Sequence, residues 1–139
     1  MKKKIRLAVA MVLVLCTAVL AAGASQISPC WNYVTVVGGR IDIPSSILGI
    51  AEVAGHGSAS TLGVDKVVCT VHLQQMRDRK WVTLKSWSTT SNSRTAAVGT
   101  KKYAVAHGYT YRVYVTLDAY KGNTHLETGE FSEVYGYFD

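Results

Sequence analysis

The sequence predicts an all-β protein, an antiparallel sandwich of about seven strands, and three observations carry that prediction. Apolar and polar residues alternate with period two along most of the chain after residue 32, the side-chain period of a strand with one buried face. No window of helical periodicity competes with that alternation. Clusters rich in glycine, serine, proline and asparagine interrupt it at short intervals, where the chain can reverse. Each apolar row needs a cover. With no amphipathic helix to supply one, a second sheet is the economical partner.

The segment before the first strand is of another kind. Lys2, Lys3, Lys4 and Arg6 open the chain, an apolar run extends from Leu7 to Ala22, and Ala22-Gly23-Ala24 closes it. Charge, apolar run and small residues in that order read as a secretory signal peptide cleaved between Ala24 and Ser25. An uncleaved membrane anchor is the alternative, but the run is short for a spanning helix of ~20 apolar residues. The chain is therefore expected to comprise a signal peptide (1–24), a lead segment (25–32) and a β-sandwich domain (33–139), with an extracellular destination. Residues 25–139 contain no second apolar stretch able to cross a membrane.

Strands one and two are expected over residues 33–43 and 47–56, parted by Pro44-Ser45-Ser46. Gly38-Gly39 within the first reads as a bulge rather than a phosphate cradle. After the glycine- and serine-rich stretch 55–63, strand three sets Val67, Cys69, Val71 and Leu73 on one face. Thr70, His72 and Gln74 lie opposite, and Val68 interrupts that polar side. Arg77-Asp78-Arg79 turns the chain into strand four, 81–87. The polar connection 88–95 leads to strand five, 95–105, and His107-Gly108 makes the next turn. Strand six places Tyr109, Tyr111, Val113, Val115 and Leu117 on one side and Thr110, Arg112, Tyr114, Thr116 and Asp118 on the other. Lys121-Gly122-Asn123 then leads into strand seven, 126–137. Seven strands in about 105 residues is the count of an immunoglobulin-like sandwich. The connections are too short for interdomain linkers, and no internal repeat is visible.

The whole chain carries a formal charge of +6, but four of its 15 Lys and Arg residues lie in the first 24 positions. The remaining 11 basic residues face 9 acidic ones, a balance of +2, so the sequence gives no reason to expect a nucleic-acid partner. The densest basic cluster, Arg77, Arg79 and Lys80, is interrupted by Asp78 and reads as a solvated turn. Cys16 lies in the apolar run, leaving Cys30 and Cys69 in a compartment where thiols oxidise. A bond between them would close a loop of about 40 residues and stabilise the fold by roughly 4 kcal/mol. Two unpaired thiols are the alternative, since sequence cannot bring two Cα atoms within bonding reach.

A glycine turn followed by alternation, Gly108-Tyr109-Thr110-Tyr111-Arg112-Val113-Tyr114-Val115, resembles the sixth strand of fibronectin type III and related bacterial immunoglobulin-like domains. The resemblance implies that Tyr111 ties its hydroxyl back to the preceding corner. The segment from Cys69 to Trp87 resembles the hairpin before that strand in many secreted bacterial modules. Across nearly all of 25–139 the chain is similar to a family of small secreted proteins from gut-dwelling Firmicutes. The matching motifs are Ser28-Pro29-Cys30-Trp31, the hairpin from Val71 to Trp87, and Thr110 to Val115. They are structural and bring no catalytic residue with them. Cys30 stands where the family is expected to have an ordinary polar or basic residue.

Side chains that could carry chemistry are scattered. His56, His72, His107 and His125 show no H-x-H or H-x-x-x-H spacing, so neither a metal nor another cofactor is expected. Asp118 and Glu127 could face each other across the last hairpin, with Glu130 and Glu133 further along, yet such acids are ordinary on a solvent face. No G-x-S-x-G elbow occurs, and the protein is not expected to be an enzyme. The aromatic residues are the remaining lead. Trp81 and Trp87 are six apart, which puts them on one strand face with Thr83 and Lys85, leaving Val82 and Leu84 for the core. Tyr114 and Tyr120 fall on the polar face of strand six. Together these four rings are the candidate ligand surface for a glycan or an extracellular protein. The alternative has the tryptophans folded over the sandwich edges to seal the core. The expected function is a secreted, non-enzymatic binding or surface-associated module with no membrane contact once the signal peptide is removed. A self-associating envelope or secretome protein and a small hydrolase are the alternatives.

Overall fold

Residues 30–139 are described by the structure, a computed structural model, so the signal-peptide reading and its cleavage site lie outside the described residues. Seven strands follow in order: β1 Val34–Asp42, β2 Ile50–Ala59, β3 Lys66–Arg77, β4 Lys80–Ser91, β5 Thr95–Ala104, β6 Tyr109–Lys121 and β7 Thr124–Phe138. They form a three-stranded sheet, β1-β2-β5, and a four-stranded sheet, β4-β3-β6-β7, and every pairing is antiparallel. This is the seven-strand sandwich that the alternation calls for. The fourth strand pairs with the third rather than with the fifth.

The inward rows make the core. Val67, Cys69, Val71 and Leu73 of β3 and Tyr111, Val113, Val115, Leu117 and Ala119 of β6 have no exposed surface. The facing sheet is thin where it meets them. A Cβ added to Gly39 would stand 2.7 Å from Val115 Cγ2, one on Gly55 2.5 Å from Val71 Cγ2, and one on Gly57 2.8 Å from the Leu117 methyls. The branched side chains of one sheet thus fill the space that side chains on the other would take. This corrects the reading of Gly38-Gly39 as a bulge. Gly38 pairs with His56 and Gly39 with Gly55 in unbroken register, and the irregularity falls between Val34 and Val36. The glycines are there for close approach, Gly39 beneath Val115 and Gly38 beneath the His56 ring.

The cysteines are also a correction. Cys69 is wholly buried on the inward row, Cys30 is exposed, and neither is paired. Burial raises the Cys69 pKa, against a backbone hydrogen bond at Val98 that lowers it. Its sulfur serves the core as a small apolar group.

Two connections meet at one end of the four-stranded sheet. The β3–β4 reversal uses Asp78 and Arg79 at φ 48° and 62°, a pair of left-handed residues that matches the twist of a hairpin. At the start of β6 the Tyr111 hydroxyl donates to the Ala106 carbonyl at 2.7 Å and accepts from Gln75 Nε2 at 2.8 Å.

At the other end, Glu127 gathers the chain leading into β1. Its carboxylate accepts from the backbone N–H groups of Asn32, Tyr33 and Val34 at 2.9, 2.7 and 2.7 Å. The expected facing of Asp118 and Glu127 does not occur. An extra residue in β7 pairs Glu127 with the inward Ala119 and leaves Asp118 opposite Thr128 on the outer face. Partial desolvation raises the Glu127 pKa, but the three N–H bonds outweigh it and hold the carboxyl below its usual value. A depressed folded pKa contributes stability that is present above the unfolded pKa and lost as pH falls through the folded value. Glu127→Gln is therefore expected to cost about 1 kcal/mol at neutral pH. Urea melts of variant and parent should converge once the pH lies below the carboxylate range, and a pH-independent gap would contradict the account.

Candidate functional site

The outer face of the β4-β3-β6-β7 sheet carries the residues of β3 and β6 that alternate with the core rows, and their partners on β4 and β7. Register places them in rows across the strands. Lys66, Tyr120 and His125 share one row; Val68, Asp118 and Thr128 the next; then Thr70 with Thr116 and Glu130; then Ser86, His72, Tyr114 and Ser132; then Thr83, Gln74, Arg112 and Val134. Trp81 opposite Met76 closes the series near the β3–β4 hairpin.

The two tryptophans do not share this face. β4 has one residue more than β3 between the pairs Leu73–Lys85 and Gln74–Thr83, so Leu84 is bulged. A bulge reverses the alternation beyond it. Trp87 lies opposite the inward Val71 and packs edge-on against Tyr103 of the other sheet at 6.4 Å, sealing the core margin. Val82 takes the inward parity opposite Gln75 but remains exposed at the sheet edge, while Leu84 packs on the core. Of the four rings expected together, the structure gathers Trp81, Tyr114 and Tyr120 and removes Trp87.

Two further residues join them. Arg112 reaches over β3 so that its guanidinium stands 4.4 Å from the Trp81 ring centroid and 5.4 Å from that of Tyr114. Its Nε donates to Gln74 Oε1 at 2.7 Å, and Gln74 Nε2 donates to Thr83 Oγ1 at 3.0 Å. His72 tilts against Tyr114 at 5.6 Å and shares a hydrogen bond of 2.7 Å with Ser86 Oγ through Nδ1. Burial lowers the His72 pKa, which favours the neutral ring. Burial, followed by the hydrogen bond and charge of Glu130, raises the Tyr114 pKa, so this phenol stays protonated. Arg112 was legible as a neighbour of Tyr114 from alternation alone, but its stacking on Trp81 depends on β3 lying between β4 and β6.

The far end of the face has its own cluster. Thr128 Oγ1 donates to Asp118 Oδ1 at 2.5 Å, His125 Nε2 lies 3.2 Å from the same oxygen, and Tyr120 meets the His125 ring edge-on at 5.2 Å. Lys66 Nζ stands 4.7 Å over the Tyr120 ring. The other histidines are elsewhere: His56 lies over Gly38 on the opposite sheet, and His107 stacks on Phe138 at 4.3 Å. Among the described residues, no group of three or more His, Cys, Asp or Glu side chains is arranged to hold a metal.

The arrangement is an open sheet surface of spaced rings set among hydroxyls, an amide and charges held by hydrogen bonds. It can stack and hydrogen-bond. No protein-family model matches the chain, and no curated protein matches it.

Proposed function

We propose that the protein is a secreted, non-enzymatic binding module that holds a glycan against the outer face of its four-stranded sheet. The observation that carries this reading is the placement of Trp81, Tyr114 and Tyr120 on one outer face, between rows of Ser, Thr, His and Gln side chains. Protein-binding patches concentrate apolar area at their centre. Here hydrogen-bonding groups stand beside the rings, Thr83 and Gln74 in the row next to Trp81 and Ser86, His72 and Ser132 in the row of Tyr114. That suits a ligand with apolar ring faces and a hydroxyl rim. Tyr114 and Tyr120 are six residues apart on β6, about 20 Å along the strand, so a ligand touching both is an oligomer.

A glycan array probed with the purified protein, followed by titration of the best oligosaccharide, tests the reading. Trp81→Ala and Tyr114→Ala are each expected to weaken binding by about tenfold, the effect of truncating an aromatic anchor. Trp87→Phe, at the core margin, should leave affinity unchanged. Absence of glycan binding together with concentration-dependent assembly in light scattering would replace this function with self-association through an edge strand.

A further inference from the structure

Resting on that sheet-face reading, we infer that the glycan is acidic and that Arg112 receives its carboxylate or sulfate group. The guanidinium is prepared for an anion and lacks one. Stacking on Trp81 at 4.4 Å and the Nε bond to Gln74 at 2.7 Å restrict a side chain that otherwise loses much entropy on binding. Gln74 is itself only 9% exposed and is held from its other end by Thr83. With Nε engaged, the two Nη groups remain as the fork that grips a carboxylate or sulfate through paired hydrogen bonds.

No carboxylate of the protein fills that role. Among the described residues the ion pairs are Lys102–Glu52 and His125–Asp118, and residues 1–29 contain no Asp or Glu. Glu130, the acidic group nearest Tyr114 on this face, sits two rows from Arg112 beside Thr116. Asp118 and Glu130 lie with Lys66 and His125 towards the middle and far end of the face, whereas Arg112, near the β3–β4 hairpin, has no acid in its own row of Thr83, Gln74 and Val134.

The exposed tip of the β3–β4 hairpin adds two further cations, Arg79 and Lys80, against the single anion Asp78. The acidic group of the ligand thus lands at the hairpin end, and its ring continues towards Tyr114.

Calorimetric titration of the purified protein with two pairs of oligosaccharides decides the matter: de-esterified oligogalacturonate beside its methyl ester, and a sulfated galactan beside its desulfated form. The acidic member of at least one pair should bind tenfold or more tighter than its neutral counterpart, and added salt should weaken it. Preference in the first pair alone assigns a carboxylate, and in the second alone a sulfate. Arg112→Gln should abolish the preference. Arg112→Lys, which keeps the charge and stem but loses the fork, should retain only part of it and serves if the glutamine variant does not fold. Equal binding of charged and neutral members, or a preference that survives loss of the guanidinium, overturns the acidic assignment and leaves the sheet-face reading standing. No binding to any glycan overturns both, and tighter binding to single-stranded DNA of equal charge would assign a different ligand class.

Discussion

Gly55→Ala should destabilise the protein by about 3 kcal/mol, the upper part of the range for forcing extra volume into a packed core. The added Cβ would stand 2.5 Å from Val71 Cγ2 and 3.0 Å from both Cγ atoms of Val115. Those methyls belong to β-branched residues whose χ1 is restricted, and both sit on inward strands with no exposed surface. Neither can swing aside, so the two sheets must separate. Removing the nearer obstacle tests the cause. Val71→Ala alone opens a cavity and is destabilising, but combined with Gly55→Ala it should cost less than the two singles together, with a coupling of about 1–2 kcal/mol. Gly99→Ala is the control, because nothing lies within 4 Å of its Cβ position. Equilibrium urea melts of the four variants and the parent give the comparison. A Gly55→Ala protein as stable as Gly99→Ala would mean that the sheets do not touch at this point.

Packing of this kind is recorded in the sequence only in part. Seven strands are legible, most clearly β3 and β6, whose inward rows are buried and leave period-two alternation as their record. β4 buries no residue fully, and β2 and β4 each run on into the polar stretches read as connections, to Ala59 and Ser91. The row Val67, Cys69, Val71 and Leu73 is wholly buried, as its pattern requires. What alternation does not record is a bulge. One extra residue moves everything beyond it to the other face, and Leu84 and Leu126 carry no glycine to mark the places. Those two insertions separate Trp81 from Trp87 and Glu127 from Asp118. The glycine pair at 38–39 misled in the opposite sense, since it marks close approach rather than irregularity. For the cysteines, compartment argued for a bond, while the inward parity of Cys69 already argued for burial. Packing decided between them. The stacking of Arg112 on Trp81 was beyond reach, because it joins two strands only through a third.

Tyr111→Phe is expected to cost about 2 kcal/mol, because it strands hydrogen-bonding groups while leaving the ring and its packing intact. The hydroxyl is engaged twice. It donates to the Ala106 carbonyl at 2.7 Å and accepts from Gln75 Nε2 at 2.8 Å. Burial, the larger effect, raises the phenol pKa against those two bonds, which keeps the proton that the Ala106 contact needs. Gln75 is 2% exposed, and its own oxygen accepts from Arg77 Nε, so its amide cannot turn to find another acceptor. Ala106 lies in an exposed corner, where water can replace the lost donor. The stranded Gln75 amide therefore accounts for most of the loss. Gln75→Leu in the phenylalanine background removes that orphan and should make the Tyr111→Phe step nearly neutral. Tyr114→Phe, on the outer face of the same strand, should cost well under 1 kcal/mol. Urea melts of these variants separate the accounts. An undiminished Tyr111→Phe cost in the presence of Gln75→Leu would shift the weight of the corner from Gln75 to Ala106, and equal losses at Tyr111 and Tyr114 would contradict the inward and outward assignment of β6 itself.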